Sequence, residues 1–383
     1  MDFALNELQE QVRELAREIL ADGCTPERLR AGEATDQRID ESLWQTLIES
    51  GLAAVASSEE AGGGGLSLLE FGLILEQVGA TAAPVPLLGH GLAALATERG
   101  LSPGALAPLL AQSGWMACST RTEGNALSFV DGQLSGELGG IAYGMGSHHL
   151  VVPARDGDDW CVCLLVNAAE TVSWQPQTST ALEPWGLLQA RNAAAQKLGG
   201  SDLLSWVVQL ETMGLAMAQT GVLDAALQLA RNHVCEREQF GVLIGSFQAV
   251  SQRLADCWID LMNLRLAAIA AVTRLASGAD AQLDVLTARI WTAEAGHRVL
   301  ASCQHVHGGL GHDRDYPLWR HAVWARHYEM VAGGVNLALE ELGKVIARDP
   351  IQKPHDLEGK RLALETSAVG TMMLLELLQA GQL

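Results

Sequence analysis

Apolar side chains recur every three or four residues at the start of the chain. Leu5, Leu8, Val12, Leu15 and Ile19 fall on one helical face, and Asp2 is placed to cap it. The run EEAGGGGLSLLEFG, Glu59 to Gly72, reads as a glycine turn entering another helix. As a phosphate cradle it lacks the Lys-Ser/Thr pair that would follow such glycines, so a flexible turn is the better reading. From about Gly114 the period changes. WMACST, ALSFVDGQLSG, HHLVVPA and WCVCLLV are short β-rich segments, separated by turn signals such as Asp131-Gly132 and Asp156-Gly157. Cys161 and Cys163 alternate along the last of these and face the same way. Near Gly199 helical periodicity returns, and Val250, Leu254, Cys257, Leu261, Leu264 and Ala268 step by four and three as in an antiparallel bundle. The order helices, strands, helices predicts an α+β fold with a helical domain over 1–113, a small β domain over 114–199 and a helix bundle over 200–383.

Two features break this pattern. The first is HVHGGLGHDRDYP, His305 to Pro317, a turn rich in glycine and histidine between two helical segments. The second is Glu211. It is the only charged residue between Asp202 and Asp224, on a predicted helix from Ser201 to Val234. Leu204, Val207, Leu215, Ala218 and Val222 share its stripe, so a carboxylate stands where a core residue is expected. An ionised carboxylate there must be paired, or its pKa rises towards neutrality, where a general base works. Glu211 is therefore either a base or a structural carboxylate hydrogen-bonded to a neighbouring element.

Composition narrows the partners. The 383 residues are 48% hydrophobic and 18% charged, with a formal net charge of −20. That balance is globular and argues against nucleic acid or an anionic membrane surface as the main partner. An anionic ligand would need a local cluster of positive charge. The longest uncharged run, Gln77 to Thr97, is broken by Pro84, Pro86 and three glycines, so no membrane helix is expected. The acidic, amphipathic N-terminus is not expected to be a signal peptide. The seven scattered cysteines show no zinc spacing, so no metal site is expected, and a reducing cytoplasm is the plain expectation.

In CEREQFGVLIGSFQAVSQRLAD, Cys235 to Asp256, a helix ends at a glycine and exposes Arg237, whose guanidinium could grip a phosphate. REQFGVLIGSFQAVSQRLAD together with HVHGGLGHDRDYPLWR resembles the C-terminal domain of the acyl-CoA dehydrogenase family. SEEAGGGGLSLLE resembles that family's N-terminal glycine turn, and the order of elements matches across nearly the whole chain. The resemblance implies an acyl-CoA dehydrogenase-like fold and FAD as cofactor. It implies an acyl-CoA substrate, an electron-transfer flavoprotein as electron acceptor and a homo- or heterotetrameric assembly. By position, Arg237, Gln239, Phe240, His305, Gly308 and Gly309 inherit the family's grip on the adenosine-diphosphate end of a neighbouring subunit's FAD. Side-chain-free residues allow backbone to approach that cofactor. The family's Gln before x-H-G-G falls at His305, beside Gln304.

Most members carry the catalytic Glu in a C-terminal segment that corresponds to HYEMVAGGVN here, and the expected position is Ala332. Glu329 lies a helical turn before it. Isovaleryl-CoA dehydrogenase resembles this chain in lacking that Glu, and carries its base on the helix preceding R-x-x-F-G. Counting back from Arg237, that base falls at Glu211, which makes Glu211 the candidate catalytic residue. The β domain departs further. The family's aromatic and hydroxyl positions beside the flavin appear as Gly140 and Ala142, Thr120 is retained, and the domain reads as trimmed. These features resemble the shorter subunits of heteromeric acyl-CoA dehydrogenases acting on steroid side chains. The alternatives are a non-catalytic subunit completing a partner's FAD site, and a flavin monooxygenase or nitroalkane-oxidase-like relative.

Overall fold

The computed structural model describes residues 4–348 apart from Asp36 and Ala169. The apolar C-terminal segment Leu357 to Gln379 lies outside the described residues. Two compact units divide at Gly214 and Leu215, inside one long helix.

The first unit begins with six helices: α1 (Glu7–Gly23), α2 (Pro26–Glu33), α3 (Glu41–Glu49), α4 (Leu68–Thr81), α5 (Leu87–Gly100) and α6 (Pro103–Leu110). The cap of α1 is Asn6 rather than the expected Asp2, which is outside the described residues. Asn6 and Gln9 exchange reciprocal side-chain-to-backbone hydrogen bonds of 3.0 and 2.9 Å, satisfying two end donors. The buried face of α1 is also displaced from the expected stripe. Ala16, Leu20 and Gly23 are buried, whereas Leu8 and Leu15 are exposed. The small residues explain the shift, because the backbone at Gly23 lies against Leu43 of α3, leaving no room for a Cβ.

The glycine turn before α4 is structural. The amides of Gly62, Gly63, Gly64 and Gly65 donate to Glu59, Ser58, Ala54 and Ser57 carbonyls at 2.8–3.1 Å, so the turn consumes its own donors. A side chain at Gly63 would overlap the carbonyls of Ser57 and Ala54.

Seven strands follow: β1 (Met116–Cys118), β2 (Leu127–Val130), β3 (Gln133–Ala142), β4 (His149–Asp156), β5 (Asp159–Val166), β6 (Val172–Thr178) and β7 (Pro184–Gly199). They run in the order β1-β4-β2-β3-β7-β5, and a β4–β5 pairing closes the path into a ring. β1 and β2 lie parallel to β4, and β6 pairs with β7. Core-facing residues alternate along the strands, as a period of two requires. Leu150, Val152 and Ala154 of β4 meet Cys161, Cys163 and Leu165 of β5 in one core. The two cysteines share a face as expected, with their sulfurs 3.6 Å apart.

Helix α7 (Ser201–Glu236) crosses into the second unit. There follow a short hairpin, β8 (Glu238–Gln239) and β9 (Val242–Leu243), and then α8 (Gln248–Ala276), α9 (Gln282–His307), α10 (Leu318–Val331) and α11 (Gly334–Arg348). The expected α8 stripe is buried from Cys257 through Leu261, Leu264 and Ala268. Buried Gln219 of α7 donates to the carbonyls of Thr292 in α9 and Ala325 in α10, both at 3.1 Å, and so ties three helices together. No helix among the described residues is long and apolar enough to cross a membrane.

Acid should loosen the first unit through His90. This imidazole is buried, accepts the Met116 N–H at 3.1 Å and meets Trp44 edge-on. Burial, aided by nearby His148, pushes its pKa down to about 3. Below the ordinary value near 6.5 the unfolded chain binds a proton that the folded chain refuses. This contribution is therefore intact above that value and is lost as pH falls towards 3, by roughly 1.4 kcal/mol per pH unit. The urea midpoint should drop between neutral pH and pH of about 5, and His90→Gln, which keeps an acceptor, should flatten that drop. An unchanged slope in the variant would remove His90 from the account.

Candidate functional site

The stripe containing Glu211 is buried as its spacing predicts: Leu204, Val207, Leu215, Ala218 and Val222 are all in the core, and Glu211 itself is half-buried. A side chain at Gly214 would overlap Leu88, so glycine brings this part of α7 close against α5. The carboxylate is met from the β domain. Thr120, just beyond β1, donates its hydroxyl hydrogen to Glu211 Oε2. Cys118 of β1 stays a neutral thiol, held well above its ordinary pKa by burial and then by the charge of Glu211. The result is a half-buried carboxylate with one oxygen fixed by a hydroxyl. Of the hydroxyl and aromatic positions named from the sequence, Thr120 is committed to this contact.

The neighbouring wall is occupied by the chain itself. Arg121 lies over the ring of Trp185, with Cζ 4.8 Å from its centroid. Its Nε stands only 2.8 Å from where a Cβ would be at Gly140, so a larger residue there would have to displace the Arg121 side chain. The Gly140 amide donates to Gln177 Oε1 at 2.7 Å. Gly140 and Ala142 present neither an aromatic ring nor a hydroxyl.

In the second unit the chain places Arg237 and the glycine turn on a common frame. The frame is His233 in the last turn of α7 stacked on His307 at the end of α9, with centroids 4.5 Å apart and planes 22° from parallel. His307 Nδ1 donates to the Cys303 carbonyl at 2.7 Å, so its Nε2 is the acceptor for the Tyr316 hydroxyl at 3.2 Å. Burial lowers the pKa of His307, which keeps it neutral. Neither histidine was singled out for a role from the sequence. Only the position of His233 one helical turn before Arg237 hints at it.

The candidate residues around this frame are open to solvent. Arg237 is exposed, and its guanidinium makes no ion pair among the described residues. The backbone of Arg237 is fixed by bonds from its amide to the His233 carbonyl at 2.9 Å and to its carbonyl from the Ile244 amide at 2.8 Å. Gln239 is exposed, with Nε2 donating to the Glu238 carbonyl. Phe240 and Gly241 form the two-residue hairpin loop with φ of +55° and +77°, the left-handed pair that such tight turns need. The Phe240 ring is 94% exposed and meets Phe247 at 6.3 Å.

Helix α9 ends at Gly308, whose φ of +60° and ψ of −134° suit only glycine. A Cβ at Gly308 or at Gly309 would meet nothing within 4 Å. The fold thus needs glycine at Gly308 for its backbone but places no steric demand on Gly309. His305 is exposed, whereas Gln304 folds back with Nε2 3.4 Å from the Gly311 carbonyl. Ala332, the position expected for the more common base, caps α10 and is buried. Glu329 is bound to Arg326 at 2.6 Å.

Comparison with known proteins extends this picture. Residues 6–100 match the family model for the acyl-CoA dehydrogenase N-terminal domain, and residues 199–347 that for its C-terminal domain. The chain is 34% identical over 381 residues to the acyl-CoA dehydrogenase FadE27 of Mycobacterium tuberculosis, covering 91% of this chain and all of that one. It superposes on a chain of the ChsE4-ChsE5 complex from Mycobacterium tuberculosis with a TM-score of 0.86 and 33% identity, over 92% of this chain and 100% of that chain. It is also similar to the Tcur3481-Tcur3483 steroid ACAD, with a TM-score of 0.84 and 34% identity over 89% and 98% of the two chains.

Proposed function

The chain belongs to the acyl-CoA dehydrogenase family, and from that premise we propose that it is one subunit of an FAD-linked enzyme that desaturates an acyl-CoA thioester between Cα and Cβ. The observation that carries this reading is the exposed Arg237 held beside the Gly308–Gly309 turn by the stacked His233 and His307. An unpaired guanidinium in a chain of net charge −20, next to a glycine that the fold does not require, fits the diphosphate end of a dinucleotide. Arg237, Gln239, Phe240, His305, Gly308 and Gly309 would hold that end. Bound FAD would supply the acceptor for the hydride from Cβ. Glu211 would take the α-proton, with Thr120 fixing the oxygen that faces it. A ring-bearing acyl group of the steroid side-chain type is the substrate class that the related steroid ACAD supports, and an electron-transfer flavoprotein is the proposed electron acceptor. The division into domains at residues 113 and 199 is part of the same proposal, and the free cysteines support a reducing cytoplasm.

The ring end of the flavin fits this chain less well. Arg121 fills the space beside Gly140, and the hydroxyl hydrogen of Thr120 is already given to Glu211. This observation favours a second reading, in which the chain completes a partner's flavin site and holds little flavin of its own. An oligomeric assembly, homo- or heterotetrameric, belongs to either reading. It is supported by the exposed Phe240, Val242, Leu243, Phe247, Trp258 and Ile259 on the hairpin and the start of α8, an apolar surface that a partner would cover.

The deciding experiment is to purify the chain alone and together with an acyl-CoA dehydrogenase-like partner, and to record the flavin spectrum of each before and after adding a steroid side-chain acyl-CoA. Flavin in the joint preparation, bleached by the thioester, is the expected result. A stable, flavin-replete monomer, or flavin indifferent to every acyl-CoA tried, would overturn the proposal.

A further inference from the structure

A cavity of about 760 Å³ lies within the first unit, and neither Glu211 nor Thr120 lines it. That volume is in the range of small-molecule sites, roughly 300–1,000 Å³. Its apolar wall is Trp115 ahead of β1, Tyr143 and Met145 after β3, Trp185 of β7 and Ile39 between α2 and α3. Three features mark it as more than a gap in packing.

The first is backbone strain. Only seven non-glycine residues among those described adopt positive φ. Two of them, Arg38 at +48° and Tyr143 at +53°, line this cavity. A third, Leu182 at +64°, lends its carbonyl to Arg38 Nη1 at 3.3 Å and directly precedes the lining residue Glu183. Such conformations persist where the surroundings over-determine them, and they collect at ligand sites.

The second is an unmet donor. Arg38 Nε is buried and finds no acceptor among the described residues. A buried donor without an acceptor is costly to leave so, and the wall at Arg38 carries that cost as well as its backbone strain.

The third is the local charge. Arg38 is the one cation on the wall, and Glu41 and Glu183 also line it. Glu183 Oε2 accepts from the indole of Trp185 at 2.6 Å. One guanidinium facing two carboxylates disfavours an anionic guest, while the aromatic wall favours a flat apolar one.

We propose that this cavity binds an uncharged, flat, largely apolar ring compound against its aromatic wall, at a site separate from Glu211. The proposal does not depend on the dehydrogenase reading, because binding is measured without turnover.

The probe is 6-propionyl-2-(dimethylamino)naphthalene, a neutral naphthyl ketone whose emission shifts to the blue in an apolar site. It is titrated into the full chain in whatever assembly it purifies. Saturable binding with one site per chain is expected, displaced by 2-acetylnaphthalene and at least tenfold less well by the anion 2-naphthoate. Thr178→Trp, built into the cavity from the exposed strand β6, should abolish it. Absence of saturable binding, or binding unchanged by Thr178→Trp, would overturn the site. Tighter binding of 2-naphthoate than of the ketone would overturn the ligand class.

Discussion

Replacing Arg237 by alanine should strip flavin from the assembled protein while leaving its folding almost untouched. The side chain is exposed and makes no ion pair among the described residues, so its removal should change folding stability by no more than about 0.5 kcal/mol. Its loss from a diphosphate grip should cost roughly 1.5–3 kcal/mol of binding, the range for a charge-assisted hydrogen bond, or about 10- to 150-fold in affinity. Flavin absorbance per chain, measured across a series of FAD dilutions, reads this directly. Gly309→Ala makes a stringent companion. A Cβ there meets nothing of the chain's own, so stability should hold while flavin content falls if a cofactor approaches that backbone closely. Gly308→Ala should lose both, because its φ and ψ are open to glycine alone. Undiminished flavin in both the Arg237 and the Gly309 variants would remove this turn from the cofactor site.

Much of the pattern that marks this turn is local in the sequence. Helical periodicity placed the stripe of α7, and the Gly-Gly pair after His307 marked the end of α9, where Gly308 takes up a conformation closed to other residues. The glycine turn at Gly62 to Gly65 reads from the sequence as a flexible turn rather than a phosphate cradle, since no Lys-Ser/Thr follows it; its amides are spent within the turn, so it is no cradle, and those bonds hold it in place.

What could not be read is long-range. β6 and β7 escaped because QPQT alternates poorly and the Ala-rich run in β7 has no strand character of its own. Their strand form comes from pairing with each other and with β3 and β5. The face of α1 was misjudged because packing through Ala16 and Gly23 outweighed the row of larger side chains. The bond from Thr120 to Glu211 joins residues 91 positions apart, and no spacing rule reaches that far. The same holds for Arg121, which has no motif around it and yet fills the space that Gly140 leaves.

Glu211 is where these strands of evidence meet, and its near-isosteric replacement separates them. The carboxylate is half-buried, has the Thr120 hydroxyl on one oxygen and sits beside a neutral thiol at Cys118. Glu211→Gln keeps the shape and can still accept from Thr120 through its amide oxygen, but the amide has no basicity with which to take a proton from carbon. If Glu211 is the base, bleaching of the assembly's flavin by acyl-CoA should slow by roughly 10²–10⁴-fold, the usual contribution of a positioned general base. Flavin content and melting temperature should stay near those of the unaltered protein. If the carboxylate is instead only a satisfied structural group, the change should cost about 1 kcal/mol of stability and leave turnover intact. The two outcomes differ in kind as well as size, because the first moves rate without moving stability and the second does the reverse. Bleaching at an unaltered rate, at saturating thioester and full flavin loading, would take the catalytic role away from Glu211 and place the base in a partner subunit.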